Sequence, residues 1–505
     1  MSNDLVQPSF GFAPAFRGLN LLLTASGRST AKSFAGFVLA WAVLFLILQC
    51  LPLPAGLSPS GKATLAVMAW AAIVWISEAL PVGVSGLLIP MLLVLTNAVT
   101  PLPKAAAGFT NPVVFLCLAA FIFSAIMQAA GLDRAIALGL LDRIKVKTVN
   151  GLIWAMFAVN LVLSFVVPAA NARAATLLPV VNGLTGFFGH AEQERNAKKA
   201  IVIQTLVYGS MISGMCILTA HLPNMVISGL FASELKLHIS WLDWFKLQWP
   251  YLGMFVLTQW WVQQYFRTRK VALPSGLEHI RQERQAKANA RTWPILAVLG
   301  LVAVLWATEH WHRIATDTVA LLGLAIMFTP GLLQFKWKDI QDRTIWGTVL
   351  LLAGALSISS AIAGTGLAQW LAVQIHDVAQ GYPWWGILLI VMGGTHIIRI
   401  GMLSNVAAVT MMAPILLALA PRLGLHPVAF TMLVADTDSF AYLLPTQITA
   451  AVIAYSSGAF STSDYARVGI VSVLIAIAYG ILVMAPWYAF LGIPVWDPGA
   501  PWPFR

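Results

Sequence analysis

Two short segments hold residues suited to anion recognition, and they sit at one constant interval. The first is Pro168-Ala-Ala-Asn-Ala-Arg173, with Pro179 after it; the second is Leu403-Ser-Asn-Val-Ala-Ala408, with Pro414 after it. Pro414 follows Pro179 by 235 residues, and Gly366-Leu367 follow Gly131-Leu132 by the same interval. Ser and Asn side chains donate hydrogen bonds, a helix N-terminus offers free N–H groups, and Arg adds a fixed charge with a fork of donors. Such groups suit a carboxylate, a sulfonate or a sulfate. Both segments lie inside apolar runs, where polar groups are tolerated only if they line a cavity. A chain whose halves repeat, each half interrupting its apolar run in this way, reads as a secondary transporter with its solute near the bilayer midplane.

The elements that must position these segments are membrane helices. Of 505 residues, 59% are hydrophobic and only 10% are charged, with a mean hydropathy of +0.81. Soluble chains run to about 25% charged. Apolar runs of about 20 residues recur from end to end. The fold class is therefore an all-α polytopic membrane protein. Two inverted repeats are expected, with about eleven crossings and two re-entrant hairpins. A tail covers 1–33, repeat 1 covers 34–266 with a hairpin at 150–187, and a basic linker covers 267–291. Repeat 2 covers 292–491 with a hairpin at 384–420, and a tail covers 492–505. Single spans are expected near 111–141 and 345–374, and broken ones around Leu222-Pro-Asn224 and Pro445–Ala450.

Charge fixes the expected orientation. With the N-terminus inside, the loops bearing Arg143, Lys145 and Lys147, then Arg195, Lys198 and Lys199, then the linker, then Lys336 and Lys338, all fall inside. The loops around Glu309–Arg313, His376–Asp377 and Arg422, and the C-terminus, fall outside. The net charge of +11 is thus a topology signal. It forms no groove or stripe, so no nucleic-acid partner is expected. No short apolar core with a cleavage site opens the chain, so no cleaved signal peptide is expected. Cys50, Cys117 and Cys216 lack CxxC spacing and indicate neither a metal site nor a disulfide framework.

The order and spacing of several motifs resemble the divalent-anion:sodium symporter family, the dicarboxylate and citrate transporters. Ile76-Ser-Glu-Ala-Leu-Pro81 resembles its (S/T)-E-A-(I/L)-P pattern. Asn111-Pro-Val-Val-Phe115, continuing to Gly131-Leu-Asp-Arg134, resembles its N-P-x-x-F…G-L-x-R helix. The two tips align with its paired Ser-Asn-Thr motifs. Ser404-Asn405-Val406 matches two of three positions, and Ala169-Ala170-Asn171 matches none. Asn171-Ala-Arg173 stands where the citrate/succinate-exchanger branch has Thr-Ala-Arg. Leu222-Pro223-Asn224 resembles the Pro-Asn helix break, and Ile448-Thr-Ala-Ala451 has lost its equivalent.

The resemblance implies that the tips hold two carboxylates with sodium ions behind them, and that the chain forms a homodimer. Expected substrate contacts are Ala170, Asn171, Arg173, Pro223, Asn224, Ser404, Asn405, Val406 and Thr449. Asn171, Asn405 and Ser404 either cap helices or bind solute, and the two roles are compatible. Ala169 and Ala170 bring no side-chain oxygen ligand, so at least the first sodium site is expected to be crippled. A residual sodium site is placed at Ser404 and Asn405. Arg173 either offsets substrate charge in place of sodium, through a bidentate contact, or pairs with a helix carboxyl end or a loop. Asp436, Asp438 and His221 are coupling candidates, because ionisable groups inside a membrane mark function; Asp436 or Asp438 alternatively pairs with Arg399. Glu78 is read as holding the early helix in place.

The expected function is secondary transport of a small di- or tricarboxylate by elevator-type alternating access and anion exchange. Proton- or sodium-coupled symport stands as the alternative, as does another anion such as a sulfonate, sulfate or aromatic carboxylate. Partners are the anionic solute and membrane lipid. No cofactor is expected beyond Na+ or H+ as coupling ion, and the location is the inner (plasma) membrane. A membrane enzyme would need a metal-binding cluster or a nucleophile with its base, and the acidic residues are scattered. An ATP-driven pump would need G-x-x-x-x-G-K-(S/T), which is absent from the sequence.

Overall fold

The computed structural model describes residues 25–143, 146–165, 167–274, 292–332, 335–402 and 404–504. Most of the 1–33 tail and of the 267–291 linker, with Lys145, Leu403 and Arg505, lies outside the described residues. Among the described residues the regular elements are helices, with one isolated β-bridge between Thr148 and Ala272. The longer helices are numbered here.

The first half opens with α1 (Ala25–Phe45), α2 (Pro59–Ser77), α3 (Val82–Leu95), α4 (Pro112–Ala129) and α5 (Leu132–Arg143). α1 starts earlier than Phe34 because its first turns are polar, and hydropathy marks only the apolar part. α6 (Val149–Ser164) and α7 (Ala170–Thr185) flank the first tip, and α8 (Glu192–Val202) follows. A π turn, Ile203–Gly209, leads from α8 into a short helix, Ser210–Met215. The chain then extends at Ile217, makes a 3-10 turn over Leu218–Ala220, extends again at His221, and restarts as α9 (Leu222–Glu234). α10 (Met254–Phe266) closes the half.

The second half runs through α11 (Trp293–Ala307), α12 (Thr316–Met327), α13 (Trp346–Gly364) and α14 (Leu367–Ala379). α15 (Trp384–Arg399) and α16 (Asn405–Arg422) flank the second tip, and α17 (Pro427–Ser439) leads to the second break. There the chain extends at Leu444, makes a 3-10 turn over Pro445–Gln447, extends at Ile448, and restarts as Thr449–Tyr455. α18 (Thr462–Tyr479) follows. The two breaks thus share one design: extended residue, 3-10 turn, extended residue, new helix.

Two expected spans divide. The stretch 111–141 parts into α4 and α5 at Gly131 (φ 66°), and 345–374 parts into α13 and α14 at Gly366 (φ 80°). A left-handed glycine ends a helix with no Cβ penalty, and an apolar run does not register it. Six described helical stretches are long and apolar enough to cross a membrane: Ala31–Cys50, Pro59–Ser77, Pro112–Ala129, Trp346–Gly364, Asn405–Arg422 and Thr462–Phe490. Five shorter apolar helices accompany them.

Packing fixes the site from two sides. α3 and α13 cross backbone to backbone; a Cβ on Gly354 would lie 2.3 Å from the Gly86 carbonyl oxygen. Close approach through glycine is the usual device where neighbouring helices share no hydrophobic driving force. The halves also interlock. α9, from the first break, packs on α16 from the second tip, and Thr449–Tyr455 packs on α7. Tyr208, in the π turn after α8, and Tyr442, just before the second break, stack with centroids 4.0 Å apart.

Candidate functional site: a cavity between two tips and two breaks

One cavity of about 290 Å³ takes its walls from both tips and both breaks. Ala169, Ala170 and Asn171 come from the first tip, and Ser404, Asn405 and Val406 from the second. His221, Leu222 and Pro223 come from the first break; Ile448, Thr449 and Ala450 come from the second. Each group is the start of a helix, so four helix N-termini meet at one space. The first N–H groups of a helix have no intrahelical partner, and the aligned peptide dipoles favour an anion there. A carboxylate at a partly buried helix start gains up to about 2 kcal/mol.

Several side chains open to this space are polar, and some of them are unspent. Asn171 and Thr449 have no hydrogen-bond partner among the described residues. The Nε2 of His221 is buried without a partner, and His221 is 5% exposed. Ser404 caps α16, its Oγ accepting from the N–H of Ala407 at 3.3 Å. The far wall is different. Trp75, Glu78 and Val82, around the α2–α3 turn, and Thr348 and Leu351 on α13, close the cavity. The sequence reading did not place Glu78 here. It lines the same cavity as a tip more than 300 residues away, and no local pattern reports that.

Arg173 and Asn224 do not line the cavity. Arg173 is fully buried. Its Nη1 donates to the carbonyls of Val167 (2.9 Å) and Ala220 (3.0 Å), and its Nη2 to Ser210 (2.6 Å). The guanidinium therefore ties the first tip to the first break from behind. It pairs with a loop and a helix end, and makes no bidentate contact toward the cavity, because every short-range acceptor around it is backbone. Gly214 makes room: a Cβ there would lie 2.5 Å from Nη2. Asn224 donates from Nδ2 to Gly214 (3.1 Å), Met215 (3.2 Å) and Ile217 (3.0 Å), closing the carbonyl end of Ser210–Met215.

The second tip repeats the device with Arg399. Its Nη1 donates to Met402 (2.7 Å), and its Nη2 to the Oδ1 of Asn405 and to the carbonyl of Gln447 (3.2 Å). Its Nε lies 3.4 Å from Asp438, both side chains fully buried. The expected pairing with Arg399 thus belongs to Asp438. Asp436 instead accepts from Gln248 Nε2 at 2.6 Å. Neither Asp lines the cavity. Gln447 stitches the break, accepting the N–H groups of Leu443 and Leu444 and donating to the Arg399 carbonyl.

Sodium needs free oxygen ligands. Behind the first tip the oxygens of Val167, Ser210 and Ala220 already serve Arg173, and behind the second those of Met402, Asn405 and Gln447 serve Arg399. At the residual sodium site placed at Ser404 and Asn405, the Asn405 Oδ1 accepts from Arg399 and the Ser404 Oγ accepts from the N–H of Ala407. Among the described residues no three His, Cys, Asp or Glu side chains are grouped as metal ligands.

A family profile described as "Sodium:sulfate symporter transmembrane region" matches residues 31–494. The chain belongs to this family. A Cupriavidus necator protein described as "Membrane protein" is 32% identical over 480 residues, covering 90% of this symporter-family chain and 93% of that one. A sodium-dependent dicarboxylate transporter of Staphylococcus saprophyticus, SdcS, is 27% identical over 493 residues, covering 92% and 94%. Among solved structures, the YdaH transporter of Alcanivorax borkumensis gives a TM-score of 0.55 at 13% identity, covering 85% of this chain and 98% of that one. MtrF of Neisseria gonorrhoeae, described among antimetabolite efflux pumps, gives 0.55 at 11%, covering 92% and 100%. These likenesses speak to fold. The family membership makes the chain a multi-pass membrane transporter of anions.

Proposed function

We propose that this protein is a secondary active transporter of small organic dianions, di- or tricarboxylates, working by exchange. The observation that carries the reading is the single cavity ringed by four helix starts, with Asn171, Thr449 and His221 open to it. A dicarboxylate suits its polar rim of helix starts. The name of the Staphylococcus relative supports the substrate class. The matching order of tips and breaks supports two inverted repeats with re-entrant hairpins, and a carrier in which both tips and breaks move together against α3 and α13, as an elevator does. Homodimer assembly, a lipid environment, an inner-membrane location and a cytoplasmic N-terminus complete the proposal.

Arg173 acts in this reading as a built-in cation behind the first tip, lowering the cost of a dianion in a low dielectric, while the charge of Arg399 behind the second tip is shared with Asp438. That argues for exchange. Sodium symport is the second reading, favoured by the sodium-dependent relatives. Reconstituted vesicles separate the two with labelled succinate. Exchange needs internal dicarboxylate and ignores a sodium gradient; symport fills empty vesicles when sodium is outside. Transport of labelled sulfate without succinate transport refutes the organic dianion.

A further inference from the structure

Asp438 is a fully enclosed carboxylate held unusually poorly. Neither of its oxygens accepts a hydrogen bond. Its one charged contact is the Nε of Arg399 at 3.4 Å, well beyond the roughly 2.7–2.9 Å of a good charge-assisted bond. An ionised carboxylate away from water is costly without such bonds. Its partner is not private either. The same guanidinium donates to Asn405, which lines the cavity, and to Met402 and Gln447 behind it. One cation is thus shared between an internal carboxylate and the wall of the anion cavity.

We propose that Asp438 takes up one proton each time the cavity takes up a dianion, so that proton and anion travel together. The inference rests on reading the cavity as the anion site. With Asp438 ionised, Arg399 is neutralised and offers the cavity nothing. With Asp438 protonated, the charge of Arg399 is uncompensated and faces the tip. Each ligand therefore strengthens binding of the other, as linkage demands. On loading, a proton from water forms an O–H bond at the Asp438 carboxyl; on release at the other face that bond breaks and the proton returns to water. Nothing else is consumed.

The other ionisable groups near α17 include His221 at the start of α9, whose buried Nε2 has no partner, and Tyr251, whose ring lies against Phe440 at the end of α17. On α15, His396 is buried and its Nδ1 lies 2.9 Å from the Met392 carbonyl. On α18, Asp464 pairs with Lys199 at 3.0 Å, the Tyr479 hydroxyl donates to the Pro250 carbonyl, Tyr465 stacks on Phe460, and Arg467 is exposed. Tyr488 is buried beyond it, and Arg422 and Glu234 are exposed at the ends of α16 and α9. On α17 itself Asp436 is held by Gln248, and His426 caps the start of the helix. Arg399 alone forms an ion pair with Asp438 among the described residues.

The test is succinate binding to the full-length purified protein, measured by calorimetry in buffers of different ionisation enthalpy. The expected result is about one proton taken up per succinate, with affinity falling about tenfold per pH unit above pH 7, where succinate is fully ionised. Asp438→Asn should bind succinate with pH-independent affinity and take up no proton, while Asp436→Asn keeps the uptake. Should Asp438→Asn not fold, Asp438→Glu keeps a titratable group and must shift the pH at which affinity falls; an unshifted profile overturns the proposal. Succinate binding by the wild type without proton uptake also overturns it and leaves the anion site standing. Binding of neither succinate nor sulfate takes down both.

Discussion

Replacing Arg173 by Lys tests whether this arginine holds the first tip in place or touches substrate. The native guanidinium makes three buried hydrogen bonds, to Val167, Ala220 and Ser210. A lysine ammonium is a single point donor group and cannot span acceptors on three sides. Keeping one of the three bonds leaves two lost. Buried bonds to a charged group contribute about 1.5–3 kcal/mol each, so the loss is on the order of 3–6 kcal/mol. The charge remains in place, so anion affinity should change by less than about threefold. Fluorescence-monitored thermal unfolding in detergent should show a large drop in apparent melting temperature, while KM for anion transport in the surviving protein stays near the native value. Arg173→Gln should lose stability and also raise KM, because the charge is gone. A lysine variant with native stability and a strongly raised KM would refute the reasoning and return Arg173 to the substrate.

Asn171→Ala and Thr449→Val each remove a side chain open to the cavity, and each should raise KM by about tenfold or more without a change in melting temperature, since a hydrogen bond to a charged ligand contributes about 1.5–3 kcal/mol. Asn224→Ala should do the reverse, costing about 1–3 kcal/mol of stability as three carbonyls lose their donor, with KM unchanged in vesicle assays. Glu78→Gln removes a negative charge from the cavity wall, so affinity for succinate should rise; an unchanged or weaker affinity contradicts the placement. The fifth expectation concerns pH. The Glu309 carboxylate, 2.7 Å from Nε2, holds the His238 imidazole above its ordinary range. A group raised in the folded state stabilises below its unfolded value and loses that contribution as pH rises through the folded one. Unfolding scans should therefore show stability declining from about pH 6.5 upward, and His238→Asn should flatten that slope.

The tips and breaks were legible because each leaves a signature in composition: small and polar residues inside an apolar run, repeated at a fixed interval. What the polar residues do was less legible. Arg173 and Asn224 carry the same local signature as Asn171, yet they point behind the tips and bind carbonyls. A donor beside a broken helix has two sets of customers, the solute and the orphaned backbone, and sequence alone does not choose between them. Glu78 was invisible for another reason. Its place in the cavity is set by helices from both halves, so it depends on tertiary contact alone. The undivided spans 111–141 and 345–374 failed where a left-handed glycine ended a helix without breaking the hydropathy.

The two arginines have a mechanical consequence. Each is a rivet, fastening a tip to the unwound strand beside it through several hydrogen bonds that bear on one planar group. A tip fastened in this way cannot lift as a flap to let solute out without tearing several bonds at once. In the elevator proposed above, access would change at the seam between the riveted block and the glycine-packed crossing of α3 and α13. A covalent staple inside the block, joining a tip to its own break, should leave the carrier running, whereas one laid across the seam should stop it.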